Sequence, residues 1–115
     1  MNEINTLDTS AIKTLKDLMK DRFNFLIETF FSNTETQLQN LQIAIDDNNT
    51  EEIISLTHAL KGSCGSVGAS GMHNMCRIYE DRSRNSDLSD AKNWAKLLTV
   101  EFERYKTEIH PYLYD

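Results

Sequence analysis

Between Phe23 and Ile45 the chain sets an apolar or small residue at every third or fourth position with almost no break: Phe23, Leu26, Ile27, Phe30, Phe31, Thr34, Leu38, Leu41 and Ile45. Such a stripe stays on one side only if the backbone turns by about 100° per residue, so the segment reads as an amphipathic helix and not as a strand. Taken over 22–47, that helix would be about 39 Å long at 1.5 Å per residue. A helix of this kind must lay its stripe against other elements.

The rest of the chain supplies them. Residues 1–6 carry no pattern and read as a loose start; Asp8, Thr9 and Ser10 are cap residues for a short helix over 9–19, where Ala11, Ile12, Leu15, Leu18 and Met19 recur at helical spacing. Lys20-Asp21 interrupts the pattern, and Asp21 is the expected cap of the long helix. After the turn cluster Asp46-Asp47-Asn48-Asn49, either Asn49 or Thr50 caps a third helix over 50–65, with Glu51 and Glu52 set against its N-terminal dipole. Gly65-Ser66-Val67-Gly68 closes it, since glycine can adopt the left-handed conformation of a helix end. A fourth helix over 69–85 buries Met72, Met75, Cys76 and Tyr79 and carries a polar stripe of His73, Arg77, Glu80 and Arg84. Asn85-Ser86-Asp87 turns the chain into a last helix over 88–110 with Trp94, Leu98, Phe102, Tyr105 and Ile109 as its core face, ended by Pro111.

With one proline and four glycines in 115 residues, helix breakers are too few for any other class. The expectation is all-α: an antiparallel up-down-up-down four-helix bundle with a short additional N-terminal helix as a lid over one end. The length fits a single domain over 1–115, and the ends suggest a free-standing chain. A net charge of −6 disfavours nucleic acid, which requires a basic surface. No window is apolar enough for a membrane span and no signal pattern opens the chain, so the expected setting is cytoplasmic, with no membrane partner and a monomeric state. Cys64 and Cys76 lack paired spacing and read as reduced packing residues. They could join His58 and His73 as zinc ligands, but Cys76 faces the core and His58 faces away from it on another helix, so no metal site is expected.

One stretch resists a purely structural reading. On the third helix His58, Lys61, Gly62 and Gly65 share one stripe, while Ile53, Leu56 and Leu60, with Val67 just beyond, share the opposite one. Each interior glycine costs about 0.5–1 kcal/mol relative to alanine, so two of them on an outward face indicate that something must approach the backbone beside His58. A neutral imidazole nitrogen is a good nucleophile near neutral pH, and a lysine one turn on places positive charge where an anion would sit. The physical reading is a phosphoryl-accepting histidine.

The pattern His58-x-Leu60-Lys61-Gly62-Ser63-x-x-x-x-Gly68-Ala69, continued by Cys76 and Glu80, resembles the signature of histidine phosphotransfer domains of multistep two-component phosphorelays. The resemblance implies a carrier, not an enzyme, which takes a phosphoryl group on His58 from an aspartyl phosphate in one receiver domain and passes it to another. The partners would be receiver domains of a hybrid sensor histidine kinase and a response regulator. No cofactor is expected on this chain: it has no glycine-rich nucleotide loop, and Mg2+ would sit in the receiver's acidic pocket.

The resemblance further implies that Lys61 stabilises the phosphoryl group, that Glu80 orients the imidazole and that Arg84 lies near the phosphate. Many members have Gln where this chain has Glu80. For Glu80 and Arg84, ordinary surface ion pairing is an equal alternative. Gly62 and Gly65 are expected to give access, although a tolerated defect or a close-packing site would also account for a glycine. Ile54, one turn before His58 on its stripe, is expected to help dock the receiver, with Phe25 or Phe31 extending the patch; packing of Ile54 against the first helix is its alternative. The competing reading of the whole chain is a helical adaptor that binds signalling partners without carrying phosphate.

Overall fold

The computed structural model describes residues 4–114. Among the described residues five helices follow one another: α1 (Thr9–Met19), α2 (Phe23–Asp46), α3 (Thr50–Ser66), α4 (Ser70–Arg84) and α5 (Ala91–Ile109), with single 3-10 turns at Lys20–Arg22 and His110–Tyr112. Two of the expected caps form, Asp8 accepting from the Ala11 amide at 3.0 Å and Asn49 from the Glu52 amide at 3.2 Å. Asp21 does not cap α2; it lies inside the 3-10 turn, which feeds its backbone directly into the helix. α5 opens at Ala91, later than expected, because Ser89 is engaged by the Asp87 carboxylate through both its amide, at 3.3 Å, and its hydroxyl, at 2.7 Å.

Three-residue connections make α2, α3 and α4 neighbours that must reverse direction, and the pairs across them follow that register. Phe30 meets Phe102 and Tyr105 edge-on, and Tyr114, beyond the end of α5, bonds Glu28 early in α2 whereas Lys106 reaches Glu35 further along it, so α2 and α5 run opposite ways; Tyr79 stacks on Trp94 at 4.4 Å between α4 and α5. The core runs along the bundle axis through Phe23, Ile27, Leu41, Ile53, Leu60, Met72, Trp94, Leu98 and Tyr105. Cys64 and Cys76 lie in it fully buried as free thiols. Hydrogen bonding to Cys64, with burial, pushes the Cys76 thiol up, away from the thiolate that chemistry on sulfur would need. No helix of the described residues is long and apolar enough to cross a membrane.

α1 closes the end of the bundle where α3 turns into α4. The Asp8 amide donates to the Gly68 carbonyl at 2.9 Å, and the Ile12 side chain packs so closely on Gly68 that a Cβ there would fall 2.8 Å from it. Gly68 also holds φ at +69°, so the position excludes larger residues on both counts. Part of the expected loose start is fixed here as well: Thr6 is buried, the Asn5 carbonyl accepts from the Ser70 hydroxyl at 2.7 Å, and residues 1–3 lie outside the described residues. Leu18, expected on the buried face of α1, is 74% exposed, because the helix rests on the bundle through Ile12 with Leu15 and Met19 beside it.

Candidate functional site

Glu80, expected on a solvated stripe of α4, is 95% buried: its relative exposure is 5%. A carboxylate can be placed there only if cations accompany it. Lys61 of α3 brings its ammonium to 2.8 Å from Oε1, and Arg84, one turn along α4, donates to Oε2 from Nη2 at 2.8 Å and Nε at 3.0 Å. His58 completes the cluster with Nδ1 at 3.0 Å from Oε2. Burial pushes the Glu80 carboxyl up, but hydrogen bonds from Lys61, Arg84 and His58, with the Lys61 charge, outweigh it and hold the group lowered to about 2.

That ionisation fixes the imidazole. An ionised carboxylate only accepts, so the proton of the His58–Glu80 bond belongs to Nδ1, and in the neutral ring Nε2 is the nitrogen with the lone pair. The ring itself stays accessible, with 62% of the side chain exposed. Gly62, on the next turn, faces open space where a Cβ would stand, so the approach to the ring is clear on that side. With two permanent cations touching one carboxylate, the surroundings of a neutral His58 are net positive, which suits an anionic group.

The structure therefore gathers His58, Lys61, Glu80 and Arg84 around one buried carboxylate and leaves Gly62 open beside them. Three expectations change. Lys61 is not a free outward charge: it is half-buried and paired with Glu80. Gly65 does not open access to His58, because a Cβ there would meet the His73 ring at 3.2 Å; it is a close-packing position between α3 and α4. Phe31 is half-buried against the core, edge-on to Phe102 and Tyr105 of α5, and Phe25, although 74% exposed, stands in the first turn of α2. That turn is at the α1 end of the bundle, and His58 lies eight residues before the α3 terminus there, about 12 Å along the helix.

Ile54 is half-buried one turn before His58, and α1 packs at the opposite, Gly68 end of α3, so the first helix does not cover it. Of the α4 stripe, Arg77 turns away to Asn74 at 2.9 Å. His73, which sequence reasoning left without a role, donates from Nδ1 to the Lys61 carbonyl at 2.9 Å. Its position seven residues before Glu80, opposite a glycine one turn after Lys61, was the available signal.

A family model for the Hpt domain matches residues 26–108 of the chain. The fold is similar to that in the crystal structure of histidine-containing phosphotransfer protein B from Pseudomonas aeruginosa PAO1, with a TM-score of 0.89 over 95% of each chain at 22% sequence identity. No curated protein sequence matches the chain significantly.

Proposed function

The chain belongs to the Hpt domain family, and on that premise we propose that it carries a phosphoryl group on Nε2 of His58 between aspartates of receiver domains. The observation that carries this reading is the His58–Glu80 bond, which commits the proton of a neutral ring to Nδ1 and leaves Nε2 as the free nitrogen of a largely exposed side chain. The lone pair of Nε2 forms the N–P bond as the P–O bond to the receiver's aspartate breaks, and the aspartate leaves as a carboxylate. The proton on Nδ1 stays in place, so positive charge develops on the ring facing ionised Glu80, which stabilises it. Onward transfer is the reverse, with the ring as leaving group.

Lys61 and Arg84 offset the Glu80 charge that would otherwise repel the incoming phosphoryl group. The Lys61 ammonium is close enough to follow that group onto the ring. In this reading the partners are receiver domains of a hybrid sensor kinase and of a response regulator. The receiver brings Mg2+ and most of the catalytic groups, and the protein itself is a monomeric cytoplasmic carrier. The phosphotransfer in the name of the structurally similar Pseudomonas protein is consistent with it.

The test is incubation with phosphorylated receiver domains of the same organism. The parent should acquire acid-labile, base-stable phosphate, and His58→Gln should acquire none while keeping its helical circular dichroism. Label that persists on His58→Gln would remove the assignment. A parent that binds receivers but never labels would favour the adaptor.

A further inference from the structure

The carbonyl of Lys61 lies in the interior of α3, yet it accepts a hydrogen bond from another helix, from Nδ1 of His73 at 2.9 Å. Side chains on a helix lean toward its N-terminus, so the residue four positions on normally covers such a carbonyl. Here that residue is Gly65, and the bare backbone leaves a notch that the His73 ring fills, with Nδ1 3.2 Å and Cε1 3.5 Å from where a Cβ would stand. A carbonyl only accepts, so Nδ1 of His73 carries the proton.

Lys61 is thereby held by α4 at two points. Its backbone meets His73, and its ammonium meets Glu80 at 2.8 Å, seven residues or two turns further along the same helix. His58 reaches that same carboxylate from one turn earlier on α3. The spacing between α3 and α4 at this level decides whether both contacts close, and the His73 brace is a fixed-length strut across it.

We propose that His73, seated in the notch left by Gly65, is a positioning residue for the phosphoryl-carrier site: it pins the Lys61 backbone to α4 and so sets the reach of Lys61 and His58 to Glu80. This rests on the reading of His58 as the carrier. It assigns Gly65 the seat of a ring in place of an entry path, and it explains why a helix gives up a side chain at a position that faces a neighbouring helix.

His73→Asn retains a donor near the place of Nδ1, whereas His73→Leu fills the notch without one, and Gly65→Ala crowds the ring from the other side. Two readouts are compared in the full chain. The first is the titration of the Glu80 carboxyl by carbon-13 NMR, which needs no phosphoryl chemistry. It should stay near about 2 in the parent and His73→Asn and rise toward its ordinary 4.5 in His73→Leu and Gly65→Ala. The second is the single-turnover rate from a saturating phosphorylated receiver, which should fall about tenfold in His73→Leu and less than threefold in His73→Asn. A Glu80 titration in folded His73→Leu that coincides with the parent's would overturn the proposal, whatever the rate does. Failure of the parent to label would instead defeat the carrier reading, with the titration still deciding whether His73 positions Lys61.

Discussion

Nδ1 of His58 and the guanidinium of Arg84 share one oxygen of Glu80, at 3.0 Å and 2.8 Å, while Lys61 takes the other at 2.8 Å. Three side chains from two helices thus converge on a single buried anion. Because all four groups are coupled, each is expected to respond when any one is changed.

The acid limb of stability should report this cluster. The Glu80 carboxyl is held at about 2 against an ordinary 4.5, so between those values the unfolded chain binds a proton there that the folded chain does not. The stabilisation is fully present above about pH 4.5 and is lost as the pH falls through about 2. Glu80→Gln has no such titration. Urea unfolding should show a gap between parent and Glu80→Gln that is constant from neutral pH to about 5 and shrinks steadily below it. A gap independent of pH would mean that the carboxylate is not held by these cations.

Lys61 and Arg84 should differ in weight. Lys61 is half-buried and holds Oε1 alone, whereas the Arg84 side chain is 55% exposed and shares Oε2 with His58. Lys61→Ala should slow phosphoryl transfer about 10–1000-fold, the range for loss of one preorganised charge contact. Arg84→Ala should cost about two- to fivefold, as expected for a solvated pair. Single-turnover rates measure both, and the opposite ranking would transfer the electrostatic role to Arg84.

The helices were legible because their stripes are local: Ile53, Leu56 and Leu60 on α3 and Trp94, Leu98, Phe102, Tyr105 and Ile109 on α5 are all buried as their spacing requires. The company of His58 was legible only in part. Its own helix announces Lys61 and Gly62, which are i+3 and i+4, but the burial of Glu80 depends on Lys61 and His58 arriving from α3 as well as on Arg84 of its own helix, and no periodicity within α4 encodes the first two. Gly65 misled for the same reason. A helical wheel places it outward, and only the packed pair of helices shows His73 against it. Leu18 has the spacing of a core residue and no core to face, because α1 touches the bundle along a narrow line.

Gly62 separates access from stability. The space at its missing Cβ is open, so Gly62→Ala should fit without strain and stabilise the helix by about 0.5–1 kcal/mol. Gly62→Gln should fold as well as Gly62→Ala and yet transfer phosphate much more slowly, since its longer side chain would stand in the approach to His58. Thermal unfolding and transfer rates on the two variants check the pair of statements. Equal transfer rates would leave Gly62 with no part in access.

Ile54 tests how a receiver meets the site. It lies one turn before His58 and is half-buried, and the element that could have covered it does not: α1 sits at the far end of α3, with Asp8 and Ile12 against Gly68. A β-branched apolar side chain beside the imidazole therefore keeps part of its surface exposed, and in the carrier reading that surface meets the receiver. An aspartate at the same place would remove that apolar contact and set a negative charge against the acidic pocket of a receiver, so both effects weaken docking. Ile54→Asp should reduce receiver affinity more than tenfold in calorimetric titration. The unfolding midpoint should move little, because Ile54 is outside the fully buried core formed by its neighbour Ile53. Unchanged affinity would exclude Ile54 from the interface, and a large drop in the midpoint would show that its buried half, not its exposed one, accounts for an isoleucine at this position.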